Sequence, residues 1–158
     1  MDGHEIKVIA TNRAARHNFE LTDEFEAGIA LRGSEVKSLR ESKVQIVDAF
    51  GQLRDGELWL HNLHIAPYSF SQHHSGHEPV RVRKLLLHRR EIDKIRRKLQ
   101  SDRLAIVPTR MYFKDGKVKV EIALGKGRTK GDKRQALAKR DAEREQRDAI
   151  GRAAKFGL

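Results

Sequence analysis

Residues 52–60 read Gln52-Leu-Arg-Asp-Gly-Glu-Leu-Trp-Leu60. Asp55-Gly56 sits between two runs in which apolar and polar residues alternate, and Asp-Gly is a pair that accepts the positive φ angles of a tight two-residue hairpin. The stretch therefore predicts two antiparallel strands, with Leu58 and Leu60 facing a core and Trp59 facing out. The same pattern returns at Asp115-Gly116, which separates Met111-Tyr-Phe113 from Val118, Val120 and Ile122. Two such hairpins in one short chain point to a mostly β fold.

The rest of the chain is read outward from these hairpins. From His17 the pattern predicts short strands: Phe19 and Leu21, then Phe25, Ala27, Ile29 and Leu31, alternate with polar neighbours. Residues 1–16 read as a lead-in with one helical turn over Asn12-Arg-Ala-Ala-Arg16. Ser34-Glu-Val-Lys-Ser-Leu-Arg40 predicts a short helix with Ser34 as its N-cap. Ile92, Ile95 and Leu99 keep helical spacing and predict a helix over about 88–100. Residues 69–80, SFSQHHSGHEPV, read as a polar loop. Phe19, Phe25, Phe50, Tyr112 and Phe113 fall in apolar periodicity and are assigned to the core. Six or so short strands and two or three short helices over residues 1–125 predict a small β-barrel of OB type, which leaves no exposed strand edges.

Beyond Gly125 the apolar pattern ends. Residues 126–158 hold 11 Lys and Arg against 5 Asp and Glu, +6 of the total +11. Leu137, Ile150, Phe156 and Leu158 are too few to offset the ordering cost, so this basic tail is expected to be disordered when free. Its Ala, Arg, Lys and Glu suit a helix once a partner supplies contacts.

With 33 Lys and Arg against 22 Asp and Glu, the expected partner is a polyanion, chiefly nucleic acid. The chain has no cysteine, which excludes disulfides, thiol nucleophiles and Cys-ligated zinc. No secretory h-region and no apolar run of roughly 20 residues is present, so the expectation is a soluble cytoplasmic protein without membrane contact. Gly125-Lys-Gly-Arg-Thr-Lys-Gly131 does not match a P-loop. His73, His74 and His77 share the polar loop with Glu78 alone as a carboxylate at metal-ligand spacing, and no nucleophile elbow or HExxH is found. No enzyme signature, cofactor, metal or small-molecule substrate is expected. The basic residues are more telling. Arg81, Arg83 and Lys84 line an extended segment in which Arg81 and Arg83 share a side. His88, Arg89, Arg90, Lys94, Arg96, Arg97 and Lys98 decorate the following helix, and Lys114, Lys117 and Lys119 surround the second hairpin. Scarce aromatics favour recognition of a folded RNA by shape and backbone over base stacking.

Asn12-Arg-Ala-Ala-Arg-His17, Phe25-Glu-Ala-Gly-Ile-Ala-Leu31, Gly33-Ser-Glu-Val-Lys-Ser-Leu-Arg40, Arg54-Asp-Gly-Glu57, His64-Ile-Ala-Pro-Tyr68, Arg83-Lys-Leu-Leu-Leu-His88, Lys117-Val-Lys119, Lys126-Gly127 and Asp132-Lys-Arg134 follow in an order that resembles the SmpB family of bacterial trans-translation. The resemblance implies an OB-like barrel at 1–125 and a tail at 126–158 that is unstructured off the ribosome and helical on it. It implies binding to the tRNA-like domain of tmRNA (SsrA RNA), support of its alanylation, and delivery with elongation factor Tu to stalled 70S ribosomes. There the protein would stand in for an anticodon arm and lay its tail in the decoding centre and mRNA path. On the family pattern Asn12, His17, Glu26 and Leu86 match positions tied to tmRNA binding. Arg83, Lys84, Lys117 and Lys119 are physical candidates for the same surface. Gly127, Asp132, Lys133 and Arg134 match the decoding-site segment, and Ile150 an apolar position of the tail helix. The chain departs from the pattern at Gly131, where many members carry histidine or an aromatic, and at Ala142, where some carry tryptophan. Three rival readings are a generic nucleic-acid-binding OB module, a permanent structural component of the ribosome, and a hydrolase with an unrecognised site.

Overall fold

The computed structural model describes residues 5–68, 77–128 and Arg144. In chain order the elements are β1 (Ile6–Thr11), α1 (Ala14–Asn18), β2 (Phe19–Ile29), α2 (Gly33–Arg40), β3 (Val44–Gln45), β4 (Phe50–Arg54), β5 (Glu57–His61), β6 (His64–Ile65), β7 (Arg83–Leu86), α3 (Arg89–Ser101), β8 (Ala105–Lys114) and β9 (Lys117–Gly127). Both predicted hairpins are present. Arg54 pairs with Glu57 and Lys114 with Lys117. The turn residues take φ of 52° and 75° at Asp55 and Gly56, and 51° and 80° at Asp115 and Gly116, the left-handed pair that a type I′ turn requires.

Strand pairing closes on itself. The order β8–β4–β5–β7–β2–β9 returns to β8, so six strands form a ring, with β1 attached to β8 beyond the reach of β4. β3 and β6 form a separate two-stranded piece. The mostly β class with three short helices is as expected, and the closure takes the form of this ring. Its narrowest joint is between β4 and β8, where Gly51 faces Ile106. A Cβ at Gly51 would collide with Cγ2 of Ile106 and lie 2.8 Å from its Cβ, so the two strands meet only because residue 51 has no side chain.

The interior is lined by Phe25, Ala27, Ile29, Leu58, Leu60, Leu85, Ile106, Met111, Val120, Ile122 and Leu124, with Ile95 of α3 and Leu39 of α2 packed among them. Strand alternation supplies this directly. In β5 Leu58 and Leu60 are fully buried and Trp59 between them faces outward.

Four expectations need correction. Residues 6–11 are a strand, not a lead-in; β1 joins only one neighbour, and Ile6 and Val8 remain about half exposed. Ser34 is not the N-cap of α2. That helix begins at Gly33, and the Glu35 carboxylate accepts the Arg32 backbone N–H at 2.7 Å while the Ser34 hydroxyl pairs with His77. Phe50 lies outside the core, stacked on His61 with ring centroids 5.1 Å apart. His77, assigned to a solvated loop, is buried: Nε2–H donates to the Ile65 carbonyl at 2.8 Å, and Nδ1 pairs with the Ser34 hydroxyl at 2.9 Å.

Gly51→Ala should lower unfolding stability by about 1–3 kcal/mol, because the clashing Ile106 atoms are branched close to the backbone and cannot swing away. Gly33→Ala, at the start of α2 with nothing near its absent Cβ, should be neutral or stabilise by up to about 1 kcal/mol. Urea titration of both variants checks the pair; equal midpoints would refute the joint.

Candidate nucleic-acid interface

Alternation that sends Phe25, Ala27, Leu85, Val118 and Val120 inward sends their neighbours outward. On β2 these are Glu26 and Gly28, on β7 Lys84 and Leu86, on β9 Lys117 and Lys119. Register then assembles them. Leu86 faces Gly28, Gly28 faces Lys119, and Lys119 faces Tyr112 of β8. The adjacent row runs Glu26, Glu121, Arg110, Thr11. Leu86 is 51% exposed at the centre of this surface. Gly28 opposite it presents only backbone, with an added Cβ falling 3.3 Å from that of Leu86.

α1 extends the same surface. Val107 and Ala123 are buried yet stand on the opposite side of their strands from Ile106 and Leu124. α1 packs across β8 and β2 with Ala15 buried, and Ala15 and Val107 line one small cleft. His17, half-buried in the last turn of α1, therefore joins the outer side. Asn12, at the β1–α1 junction, is buried and fixed by donating from Nδ2 to the Pro108 carbonyl at 2.9 Å and from its backbone N–H to the Thr109 carbonyl at 2.8 Å. Its side-chain oxygen is buried without a partner among the described residues.

Tyr112, assigned to the core by periodicity, is buried on this outer side instead. Its ring lies under the Arg110 guanidinium, 4.7 Å from the centroid, and its hydroxyl donates to Glu26. Lys114 Nζ reaches the same carboxylate at 3.2 Å. The Tyr112 hydrogen bond, opposed by partial burial and reinforced by Lys114, holds Glu26 below the usual carboxylate range. Burial and the Glu26 charge push the Tyr112 phenol well above its ordinary value, so it stays a donor. Arg110 Nε donates to Glu121 at 2.9 Å. By contrast Lys117 and Lys119 have no ion-pair partner within reach among the described residues, and Lys84 touches a carboxylate only at 3.9 Å. The signal for Tyr112 in the sequence was its position next to Met111: neighbours on a strand face opposite ways, so both could not enter the same core.

Arg83 is placed differently from the expected RNA contact. It is fully buried. Its Nε donates to Glu35 at 2.5 Å, and its Nη1 and Nη2 to the carbonyls of Leu63 at 2.6 Å and Pro79 at 3.1 Å. Arg81 joins from the other side, donating to both Glu35 oxygens. The two arginines do share a side, as their spacing predicts, but that side is the interior. Burial alone would raise the Glu35 carboxyl; hydrogen bonds from Arg81, the Arg32 N–H and Arg83 outweigh it and leave it below the usual range. Of the tail candidates, Gly127 ends β9 opposite Phe19, and strand pairing thus runs two residues past Gly125. Asp132, Lys133, Arg134, Ile150, Gly131 and Ala142 lie outside the described residues, as do His73 and His74.

A folded-state pKa below the unfolded value means that Glu35 contributes stability above the ordinary glutamate pKa, and that this contribution is lost as pH falls through its depressed value. Glu35→Gln leaves two arginines facing an uncharged amide and should cost about 3–5 kcal/mol near neutral pH. It should also flatten the acid limb of stability against pH. If that variant does not fold, Arg81→Gln, at a side chain that is 22% exposed, should show a smaller loss of the same kind. Denaturant midpoints measured at several acidic pH values decide it; unchanged acid limbs would refute the role.

A family model described as SmpB protein matches residues 9–152. The SsrA-binding protein of Mycobacterium ulcerans (strain Agy99) is 56% identical over 149 residues, covering 94% of this chain and 88% of that one. Those of Mycolicibacterium smegmatis (strain ATCC 700084 / mc(2)155) and Rhodococcus jostii (strain RHA1) are 54% and 55% identical, each covering 94% of this chain and 92% and 94% of their own lengths. A solved structure described as "tmRNA-SmpB: a journey to the center of the bacterial ribosome" superposes with a TM-score of 0.65 at 42% identity, over 81% of this chain and 93% of that one. On a match that runs through nearly the whole sequence and through the ring of strands, the chain belongs to the SmpB protein family.

Proposed function

We propose that this chain binds tmRNA through the outer face of β7, β2, β9 and β8 and takes part in rescue of stalled ribosomes in the cytoplasm. The observation that carries the reading is the exposed face itself: Leu86 bared over the Gly28 backbone, flanked by Lys84, Lys117 and Lys119 and bordered by α1. Relatives more than half identical over nearly the full chain are named SsrA-binding proteins, and the tRNA-like domain of that RNA is the part read here as the ligand. Lys117 and Lys119, in no ion pair among the described residues, neutralise phosphates. Leu86 covers an apolar sugar or base surface. Glu26 holds Tyr112 through one oxygen and Lys114 through the other, and the lone pairs left on them accept from a 2′-hydroxyl or base N–H. Asn12 fixes the entry to α1 and thereby sets His17. Arg83 acts from inside by holding β7, so its part is positioning.

The finer steps follow from the same reading. The bound protein supports alanylation of the RNA, accompanies it with elongation factor Tu, which it need not touch, and occupies the place of an anticodon arm on the 70S ribosome. The tail beyond β9 lies in the decoding centre and mRNA path, with Asp132, Lys133 and Arg134 as its first contacts and Ile150 as an apolar contact of its helix. Gly131 has no side chain to stack, so contact there comes from the backbone and the cations beside it. This chemistry asks for no cofactor, and the polypeptide acts as an RNA-binding component, not an enzyme.

A labelled tRNA-like domain challenged with excess bulk tRNA at physiological salt tests the reading. The full chain should hold its RNA against the competitor; displacement would reduce the chain to a nonspecific basic module. Lys117→Gln/Lys119→Gln should weaken binding and reduce the slope of log K against log salt by roughly 2, near 0.9 for each phosphate no longer neutralised. Truncation after Arg128, which keeps all of β9 and the Arg128 N–H to Asn18 carbonyl bond, should keep RNA binding and abolish peptide tagging on stalled ribosomes. Loss of RNA binding on truncation would overturn the division between body and tail.

A further inference from the structure

β1 carries two apolar side chains that its folding does not use. Ile6 and Val8 are 48% and 50% exposed. A β-bulge between Val8 and Ala10 turns Ile9 and Ala10 onto the core, where both pack against the buried cluster. Ile6 and Val8 stay on the other side, and register says which side that is. Val8 faces Tyr112 and Ile6 faces Lys114. Both of these β8 residues reach Glu26 on the outer face. Lys7, between them, faces Phe113 on the opposite side. The row from Leu86 to Tyr112 therefore does not end at β8. It runs Val8, Tyr112, Lys119, Gly28, Leu86 over five strands, about 19 Å across at the usual strand spacing.

The fold gives no reason for two bare aliphatic groups here. An edge strand is normally guarded by charged side chains, and threonine would keep the strand equally well. Both residues also precede the stretch matched to the family, which begins at residue 9. Their neighbours say what they can meet. Lys114 is held by Glu26 and Arg110 by Glu121, so the β8 cations beside them are already engaged. Lys117 and Lys119 lie further in, on β9, and at the opposite end Leu86 is 51% exposed. The face is thus apolar at both ends and cationic between them. Two half-exposed side chains are too small a patch to seat a protein, whose interface takes on the order of 800 Å² from each partner. They suit the part of an RNA that is neither phosphate nor base edge. That part is the C–H face of the ribose, which an RNA double helix displays with its 2′-hydroxyls along its wide, shallow groove.

We propose that Ile6 and Val8 form a second apolar anchor of the RNA face, lying against riboses of a double-helical segment of the RNA that Lys117, Lys119 and Leu86 hold. This rests on the functional reading above and extends its surface by one strand. The anchor adds affinity without charge, so it fixes where the RNA lies across the sheet and does so independently of salt.

The test uses the full chain with Ile6→Thr/Val8→Thr, which keeps β-branched residues on the strand. The control is Val80→Thr, at an exposed valine ahead of β7. Urea midpoints check folding, and Val8→Thr alone is read if the double variant is unstable. Each protein is titrated with the tRNA-like domain of tmRNA and, separately, with an unrelated RNA hairpin, across about 50–200 mM salt. The double variant should bind the tRNA-like domain about three- to tenfold more weakly, the loss expected when two half-exposed aliphatic side chains are no longer withdrawn from water. Its slope of log K against log salt should match wild type, unlike that of the lysine variant, because no phosphate contact is lost. Hydroxyl-radical cleavage, which attacks the ribose, should show a short run of sugars protected by wild type and open in the double variant, distinct from the run opened by Leu86→Thr. Unchanged affinity would overturn the inference, as would a changed slope, an equal loss in Val80→Thr, or a cleavage pattern identical to wild type. A wild type that shows no preference for the tRNA-like domain would sink the functional reading. If its binding to both RNAs still drops in the double variant at constant slope, with sugars newly open, the anchor stands as a contact to duplex RNA in general.

Discussion

Glu35 is the point at which the pieces outside the ring are tied to it. Its carboxylate is wholly buried and takes hydrogen bonds from the Arg32 N–H at the start of α2, from Arg81 before β7, and from Arg83 within β7. A buried carboxylate with one cation would be a net burden; with two guanidiniums and a backbone donor its lone pairs are filled. The arginines in turn donate to the carbonyls of Ala30, Leu63 and Pro79 in connecting segments, and for the buried Leu63 this meets an acceptor cut off from water. His77 works on the same ground, joining Ser34 of α2 to the Ile65 carbonyl. Helix, strand and the chain between them are thus fixed in one polar knot, and β7 is fixed with it.

That knot bears on recognition because β7 is a two-sided strand. With Arg83 and Leu85 held inward, Lys84 and Leu86 have no choice but to face out. A slip of one residue would drive Leu86 into the core and expose Arg83, leaving Glu35 buried with too few partners. The geometry of the outer face therefore follows from an interaction on the inner one. Gly28 completes it across the β2–β7 pair, where its bare backbone lets Leu86 lie close to the sheet.

How much of this is legible in the sequence depends on how local the cause is. Both hairpins are readable to the residue, because Asp-Gly determines turn type without reference to the rest of the chain. The helix at Arg89–Ser101 is readable from Ile92, Ile95 and Leu99. β1 is not: its partner β8 lies about a hundred residues away, and with Ile6 and Val8 exposed its apolar residues do not mark one buried face. Arg83 misleads because a charged residue between apolar ones looks the same whether it faces solvent or a buried acid; only the three-dimensional meeting with Glu35 separates the cases. Tyr112 and Phe50 show the converse. An aromatic in a period-two run is apolar on either side of the strand, and which side is core is decided by ring closure, not by the run. The outer face itself, Lys117, Lys119, Glu26 and Leu86, can be named from family resemblance, but that these residues lie in neighbouring register cannot.

Carboxylates on the body sort its cations. Glu26 engages Lys114, Glu121 engages Arg110, Asp23 engages Lys98, and Glu57 engages Arg89. Each such pair is partly exposed to solvent and adds little stability on its own. Their greater effect is on the electric field. A uniform coat of lysine and arginine would attract any polyanion from any direction. Local neutralisation leaves Lys117 and Lys119 on one surface and Arg90 and Arg97 on another, so the excess charge is concentrated at separated places. Residues 126–158 carry +6 of the net +11, and the remaining +5 on residues 1–125 then describes less a sticky particle than one with distinct faces, and the acids decide where those faces are.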